Sequence, residues 1–291
     1  MTQTLPAFRY SYNVIGFSGE DVSESIDRLA RLGYDAVEVE GEPETHDPKR
    51  IRKLAEDAGL AVGSACPNFT ADRDLSHPDP EVRNAAQSYI RRVSEFAGEL
   101  GAPLFIVAPT AYRRVQPLAA VRDEWRWAVE GIRAAGEHAA SVGANLTLEC
   151  WNRYGTYMLN QLNESARMWR ETGLSNGGIM ADTFHMNIEE TSIPEAIRDA
   201  GDLLNHVHLS DSNRLAPGLG HVDFEEVLKA LREVGYRGDL AYELIPSVPN
   251  LLDDGSERAR PSFDDVARQA MEHTRKVERR LAASRWEMHP G

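Results

Sequence analysis

Cysteine is nearly absent from this chain: its 291 residues include two, Cys66 and Cys150, and no CxxC pair. That excludes a disulfide framework and a paired-cysteine zinc site, and it fits a reducing compartment. Long apolar runs are missing as well, and none approaches the ~20 residues a membrane-spanning helix requires. The first residues, MTQTLPAFRYSYNV, lack the basic-then-apolar order of a secretory leader. Positive charge is scarce, with 32 Lys and Arg against 46 Asp and Glu and a net charge of −14. Phosphate backbones and anionic lipids both need a basic face, so neither nucleic acid nor a membrane is an expected partner. These absences predict a soluble cytoplasmic protein with a well-solvated acidic surface.

What is present is an ordinary globular composition, 42% apolar and 27% charged, in a strict alternation of short and long patterns. β-like runs start near Phe8, Asp35, Ala61, Pro103, Asn145, Gly178, Leu204 and Asp239. Amphipathic helical patterns such as DVSESIDRLARLG, DPKRIRKLAEDAG and DFEEVLKALREVG lie between them. Gly33, Gly59, Gly101, Gly143 and Gly235 follow the last apolar residue of a helical pattern and read as C-terminal stops. Eight strands without a break in composition predict one α/β domain over residues 1–291, a single (β/α)8 TIM barrel. A doubly wound open sheet is the rival, but its Gly-rich phosphate turn after the first strand is absent. A long loop at about 246–262 and a tail at about 286–291 complete the layout.

Four polar residues end strand-like runs in the second half: Glu149 in NLTLECWNR, Asp182 in GIMADTFHMN, His208 in LNHVHLSDSN and Glu243 in DLAYELIP. With a side-chain period of two, each shares a face with the residue two before it: Thr147, Met180, His206 and Ala241. Active sites of the barrel form at the C-terminal strand ends, which is where all four fall. Carboxylates and an imidazole converging there suit a divalent cation such as Mn²⁺, Mg²⁺ or Co²⁺. A cation of this kind is a Lewis acid at C–O groups of a polyol, and a carboxylate can move the proton of the adjacent carbon. Glu149 and Glu243, arriving from different strands, would face a planar enediolate from opposite sides, as an epimerisation requires.

Each residue has a plainer reading beside this one. A lone Glu149 could serve as a salt-bridge partner or a helix cap. His206 reads as a packed, hydrogen-bonded barrel residue, and His185 could support the site from behind. Arg214 could pair with Asp211, His221 could line its loop or cap the next helix, and Asp223 reads as that helix's N-cap. Glu189 and Glu190 read as surface or capping groups, and the two cysteines as small buried side chains. The joint placement of the quartet is what favours the site.

The segments LECWNR, ADTFHMNIEE, HVHLSDSNRLAPGLG and AYELIP, with quartet spacings of 33, 26 and 35 residues, carry a resemblance. The chain resembles the xylose-isomerase-like sugar isomerases and epimerases, most closely the ketose 3-epimerases of the D-tagatose, D-psicose and L-ribulose group. The resemblance implies a metal bound by Glu149, Asp182, His208 and Glu243, Mn²⁺ first, with Co²⁺ or Mg²⁺ as alternatives. It implies Glu149 and Glu243 as the acid/base pair, and His185 and Arg214 as contacts to substrate oxygens. The lack of a Gly-rich phosphate loop or Lys/Arg cluster after strands seven and eight favours an unphosphorylated sugar. A homodimer or homotetramer is the assembly the resemblance implies. The chain departs from the group at Gly155, where a second Glu usually stands, and at Ser210-Asp211-Ser212, where a Gly-Glu pair usually stands. A lyase on the same site, either a keto-inositol dehydratase or a subunit cleaving a 3-keto C-glycoside, is an open alternative. A non-catalytic barrel subunit is another. A DNA-repair endonuclease of the same barrel type is disfavoured by the charge.

Overall fold

A computed structural model describes residues 7–17, 19–245 and 262–287. Eight parallel strands follow one another around a single sheet: β1 (Arg9–Tyr12), β2 (Ala36–Glu40), β3 (Ala61–Cys66), β4 (Leu104–Val107), β5 (Asn145–Glu149), β6 (Gly177–Asp182), β7 (Leu204–Leu209) and β8 (Asp239–Tyr242). β1 pairs with β8, and a parallel bridge between Asn13 and Glu38 draws β1 to β2, so the barrel is nearly closed. This is the single (β/α)8 barrel the alternation predicted. Of the expected loop at about 246–262, residues 246–261 lie outside the described residues. Of the expected tail, 288–291 do too, while Trp286 and Glu287 complete the backbone of the last helix.

The surrounding helices are α1 (Val22–Leu32), α2 (Pro48–Asp57), α3 (Pro80–Leu100), α4 (Val121–Ser141), α5 (Leu162–Thr172), α6 (Thr183–Glu189), α7 (Ile193–Ala200), α8 (Phe224–Glu233) and α9 (Phe263–Glu287). After β6 the chain makes two short helices rather than the expected one. Asp182 ends the strand and also caps α6 at once, its side chain accepting from Phe184 N at 2.8 Å. Ser192 then caps α7. Asp21, Asp47, Asp79 and Asp223 cap α1, α2, α3 and α8 in the same way. Each offers a carboxylate to the unpaired N–H groups of a first turn. The five glycines read as stops all have positive φ, between 70° and 77°, where a Cβ would be strained.

Alternation along the strands separates two cores. Leu146, Leu148, Phe105, Val107, Val207 and Leu209 pack outward against the helices. Inward, register places Ser11 beside Ala241, Glu38 beside Ser64, Ile106 beside Thr147 and Met180 beside His206. The barrel lumen is therefore half polar, and the next layer up, at the strand ends, holds the quartet. Among the described residues no helix is long and apolar enough to cross a membrane.

Asp223 accepts from the N–H groups of Glu225 and Glu226 at 3.1 and 3.2 Å. Asp223→Ala is expected to lower unfolding free energy by about 1 kcal/mol in a denaturant titration. An unchanged midpoint would show that α8 does not depend on its cap.

Candidate functional site

At the C-terminal mouth, Glu149 ends β5, Asp182 ends β6, His208 lies one residue before the end of β7, and Glu243 directly follows β8. One ligand atom from each lies within 4.8 Å of every other, so the fold brings the whole sequence-predicted quartet to one point. Glu149, Asp182 and His208 are buried, and Glu243 is slightly exposed. His208 Nδ1 lies 2.8 Å from Glu243 Oε2 and 3.7 Å from Asp182 Oδ2.

Arg214 joins this point as well. Its Nη1 donates to both Asp182 oxygens at 2.8 and 2.6 Å, and its Nη2 donates to Glu243 Oε2. Pairing with Asp211, the plainer expectation, does not occur between the side chains. Asp211 instead accepts the backbone N–H groups of Ser212, Gly218 and Val222 and so shapes the loop after β7. Arg214 itself has φ 62°, a left-handed conformation uncommon for a bulky side chain, and Ile245 N donates to its carbonyl at 2.9 Å. From that backbone position the guanidinium reaches between two carboxylates, which hold it.

His185, on α6, is buried with Nε2 3.8 Å from Asp182 Oδ2. Its Nδ1 accepts from Asn152, both from the backbone N–H at 3.1 Å and from the side-chain amide at 2.9 Å. Desolvation pulls its pKa down to about 4, against the pull of Asp182, so the ring is neutral.

The electrostatics of the quartet are lopsided. Burial, then Glu243, raise Glu149 to about 8, and Asp182 adds to the rise, while His208 and the Trp151 indole work against it. Burial also opposes ionisation of Glu243, but Arg214 and His208 outweigh it and hold that group below the usual range. Burial is likewise outweighed at Asp182, which the Arg214 guanidinium keeps ionised. Three carboxylates and one imidazole thus crowd a space where one carboxylate cannot ionise freely. That donor set fits a hard divalent cation, which would relieve the repulsion.

One further acid completes the site and was not singled out in the sequence. Glu38, on β2, lies directly beneath the quartet and is fully buried. Its carboxylate faces His208 Nε2 at 2.8 Å and His206 Nε2 at 2.7 Å, and accepts from the Ser64 hydroxyl. Burial raises its pKa, yet His208 and His206 outweigh it and keep the acid ionised. His206 is therefore the packed barrel residue expected. The signal for Glu38 was its place in DAVEVE, an acid at the centre of a strand whose neighbours are apolar. Cys66, ending β3, is half-buried, and Cys150 is buried.

The remaining expectations divide. His221 lines its loop, with Nδ1 3.0 Å from the Ser212 hydroxyl. Glu190 accepts from Leu162 N at 2.8 Å, at the start of α5. Glu189 is not a surface group: its side chain is 5% exposed and clamps Arg153 at 2.7 Å.

The pattern of the xylose isomerase-like TIM barrel family matches residues 26–277. A D-psicose 3-epimerase of Agrobacterium fabrum is 36% identical over 228 residues, 75% of this chain and 77% of that protein. A 3-dehydro-D-guloside 4-epimerase of Escherichia coli is 30% identical over 234 residues, 78% of this chain and 88% of that protein. The crystal structure of a D-psicose 3-epimerase with D-tagatose, from Clostridium cellulolyticum, superposes with a TM-score of 0.84 at 26% identity, over 92% of this chain and 99% of that one. These relatives are enzymes, and the chain belongs to the same xylose isomerase-like TIM barrel family.

Proposed function

We propose that this protein is a divalent-metal-dependent epimerase of a ketose or related keto-polyol. The observation that carries the reading is the pair Glu149 and Glu243, two carboxylates from β5 and β8 that converge with Asp182 and His208 within 4.8 Å. Glu149, Asp182, His208 and Glu243 would hold the ion, with Mn²⁺ first and Co²⁺ or Mg²⁺ as alternatives. The bound ion supplies Lewis acidity toward the substrate's carbonyl and neighbouring hydroxyl.

The chain's own residues supply the rest. One glutamate takes the proton from the carbon beside the carbonyl, and the electron pair moves onto the carbonyl oxygen to give an enediolate. The other glutamate delivers a proton to the opposite face, and the carbonyl re-forms with the carbon inverted. Arg214 holds Asp182 and Glu243 in place and presents positive charge where the enediolate develops. His185, neutral and buried, would donate a hydrogen bond to a substrate oxygen. A sugar substrate is supported by the names of the relatives, among them the D-psicose 3-epimerase and the 3-dehydro-D-guloside 4-epimerase. A homodimer or homotetramer is part of the same reading, and light scattering checks it.

A screen of free ketoses and 3-keto glycosides with Mn²⁺ in D₂O, followed by NMR, tests the proposal. The expected product is an epimer carrying deuterium at the inverted carbon. An eliminated product would replace the epimerase by a lyase, and inversion without deuterium would rule out exchange through these carboxylates. Glu243→Gln is expected to lower kcat by about 10²–10⁴-fold while the fold is retained. Turnover close to wild type would remove the two-carboxylate mechanism.

Glu38 provides a check that does not depend on turnover. Its carboxylate takes the Nε2 side of His208 and leaves Nδ1 toward the other three ligands. Glu38→Gln is expected to weaken Mn²⁺ binding by about 10–100-fold in calorimetry, the range for losing the partner of a metal-bound histidine. Equal affinities would confine Glu38 to the packing of the lumen.

A further inference from the structure

The turn that follows Trp151 has almost no spare room. The carbonyl of Asn152 accepts the N–H groups of Gly155 at 2.8 Å and Thr156 at 3.1 Å. A Cβ on Gly155 would stand 3.0 Å from Trp151 Cβ, 3.3 Å from the Tyr112 ring and 3.4 Å from the Asn152 carbonyl oxygen. Two of these approaches are tight for a side-chain carbon, so the turn keeps this close form most readily around a glycine. Gly155 stands where the ketose 3-epimerase resemblance places an acid. Asn152 is the polar group the turn aims at the site.

The orientation of the Asn152 amide is set by its own neighbours. Oδ1 accepts from Tyr154 N at 3.0 Å, so the Nδ2 end is the one that faces His185. His185 Nδ1 therefore meets two N–H donors, Nδ2 at 2.9 Å and the Asn152 backbone N–H at 3.1 Å. A ring nitrogen facing two donors acts through its lone pair, and a neutral imidazole then carries its one proton on the other nitrogen. That nitrogen, Nε2, stands on the side of Asp182, with the carboxylate oxygen 3.8 Å away, beyond a direct hydrogen bond.

We propose that Asn152 is a positioning residue: by presenting two N–H donors to Nδ1, it holds His185 in the Nε2–H tautomer, with that N–H aimed at a substrate oxygen. The proposal rests on the reading of His185 as a substrate contact. It also assigns His185 a single role. With the Nδ1 lone pair occupied and Nε2 protonated, the ring donates a hydrogen bond and takes no proton, so proton transfer stays with the two glutamates.

The test is ¹⁵N NMR of the imidazole in the whole protein, read beside kinetics with the ketose identified as substrate. Wild type is expected to show His185 protonated at Nε2 and bare at Nδ1. A wild-type Nδ1–H tautomer would overturn the proposal without any variant. Asn152→Asp puts an acceptor where Nδ2 stood and is expected to draw a proton onto Nδ1 and lower kcat by about 10–100-fold. Asn152→Ala removes one donor and keeps the backbone N–H, so it is expected to retain the Nε2–H tautomer and to lose less. Equal losses in both variants with the tautomer unchanged would reduce Asn152 to a structural part of the turn and overturn the proposal. A tautomer that moves as expected while kcat does not change would overturn the substrate contact of His185, and with it the catalytic half of the proposal. Asn152's hold on the ring would then still stand.

Discussion

The buried charge at the mouth of the barrel is the constraint to which the rest of this structure answers. Four acids, Glu38, Glu149, Asp182 and Glu243, lie within two layers of one another, and none is well solvated. Like charges about 4 Å apart repel by about 4 kcal/mol at the effective dielectric of a protein site, several times what one ordinary hydrogen bond returns. The chain offsets this with Arg214 between Asp182 and Glu243 and with His208 between Glu243 and Glu38. Among the described residues Glu149 has no cationic partner of its own, and it is the acid whose pKa rises to about 8. The imbalance argues for an added positive charge more strongly than the ligand types do alone.

Much of the loop structure follows from placing Arg214. A guanidinium that must touch two carboxylates cannot drift, and the chain fixes it through a left-handed residue inside a loop that Asp211 gathers. Thr183 joins this arrangement from the opposite side, donating to the Ser210 carbonyl at 2.7 Å and accepting from Ser210 N at 3.0 Å. The start of α6, which carries His185, is thereby tied to the end of β7, which carries His208. A shift in either would move two members of the site together. Rigid strand ends and tied loops are how a barrel holds such groups to a productive geometry.

What could be read from the sequence depended on which forces leave a local pattern. Strand ends were legible because the period of two marks a face, and Glu149, Asp182, His208 and Glu243 each stood on the face their strand turns inward. Gly33 and its counterparts were legible because a left-handed cap needs a residue without a Cβ. Glu38 was hidden, since acids at alternate positions of DAVEVE also describe a strand with one solvated face. Its burial follows from barrel closure, which places Asn13 beside it and is a property of the whole fold. For Arg214 the plainer alternative in the sequence was the near acid, Asp211, whereas space brings Asp182 from 32 residues away. Asn152 left no signal, for an amide in a loop could serve any turn.

This division between strands and loops bears on what varies within the family. Glu149 and Glu243 sit at strand ends, so under the proposed function proton transfer is built into the barrel itself. Whichever carbon stands between the two glutamates beside a carbonyl is the one whose configuration can change. Sliding a keto-sugar by one carbon would therefore alter the position of epimerisation without moving a catalytic atom. The similar proteins include both a 3-epimerase and a 4-epimerase, which fits that reading. Under the same reading the choice of carbon falls to groups that would grip the substrate from loops, and the Asn152–Gly155 turn bears on it through His185. Gly155 adds no side chain to that turn, while His185 and Arg214 stand beside Asp182. On that reading the strands carry the reaction type, and a few residues of loop carry the substrate register.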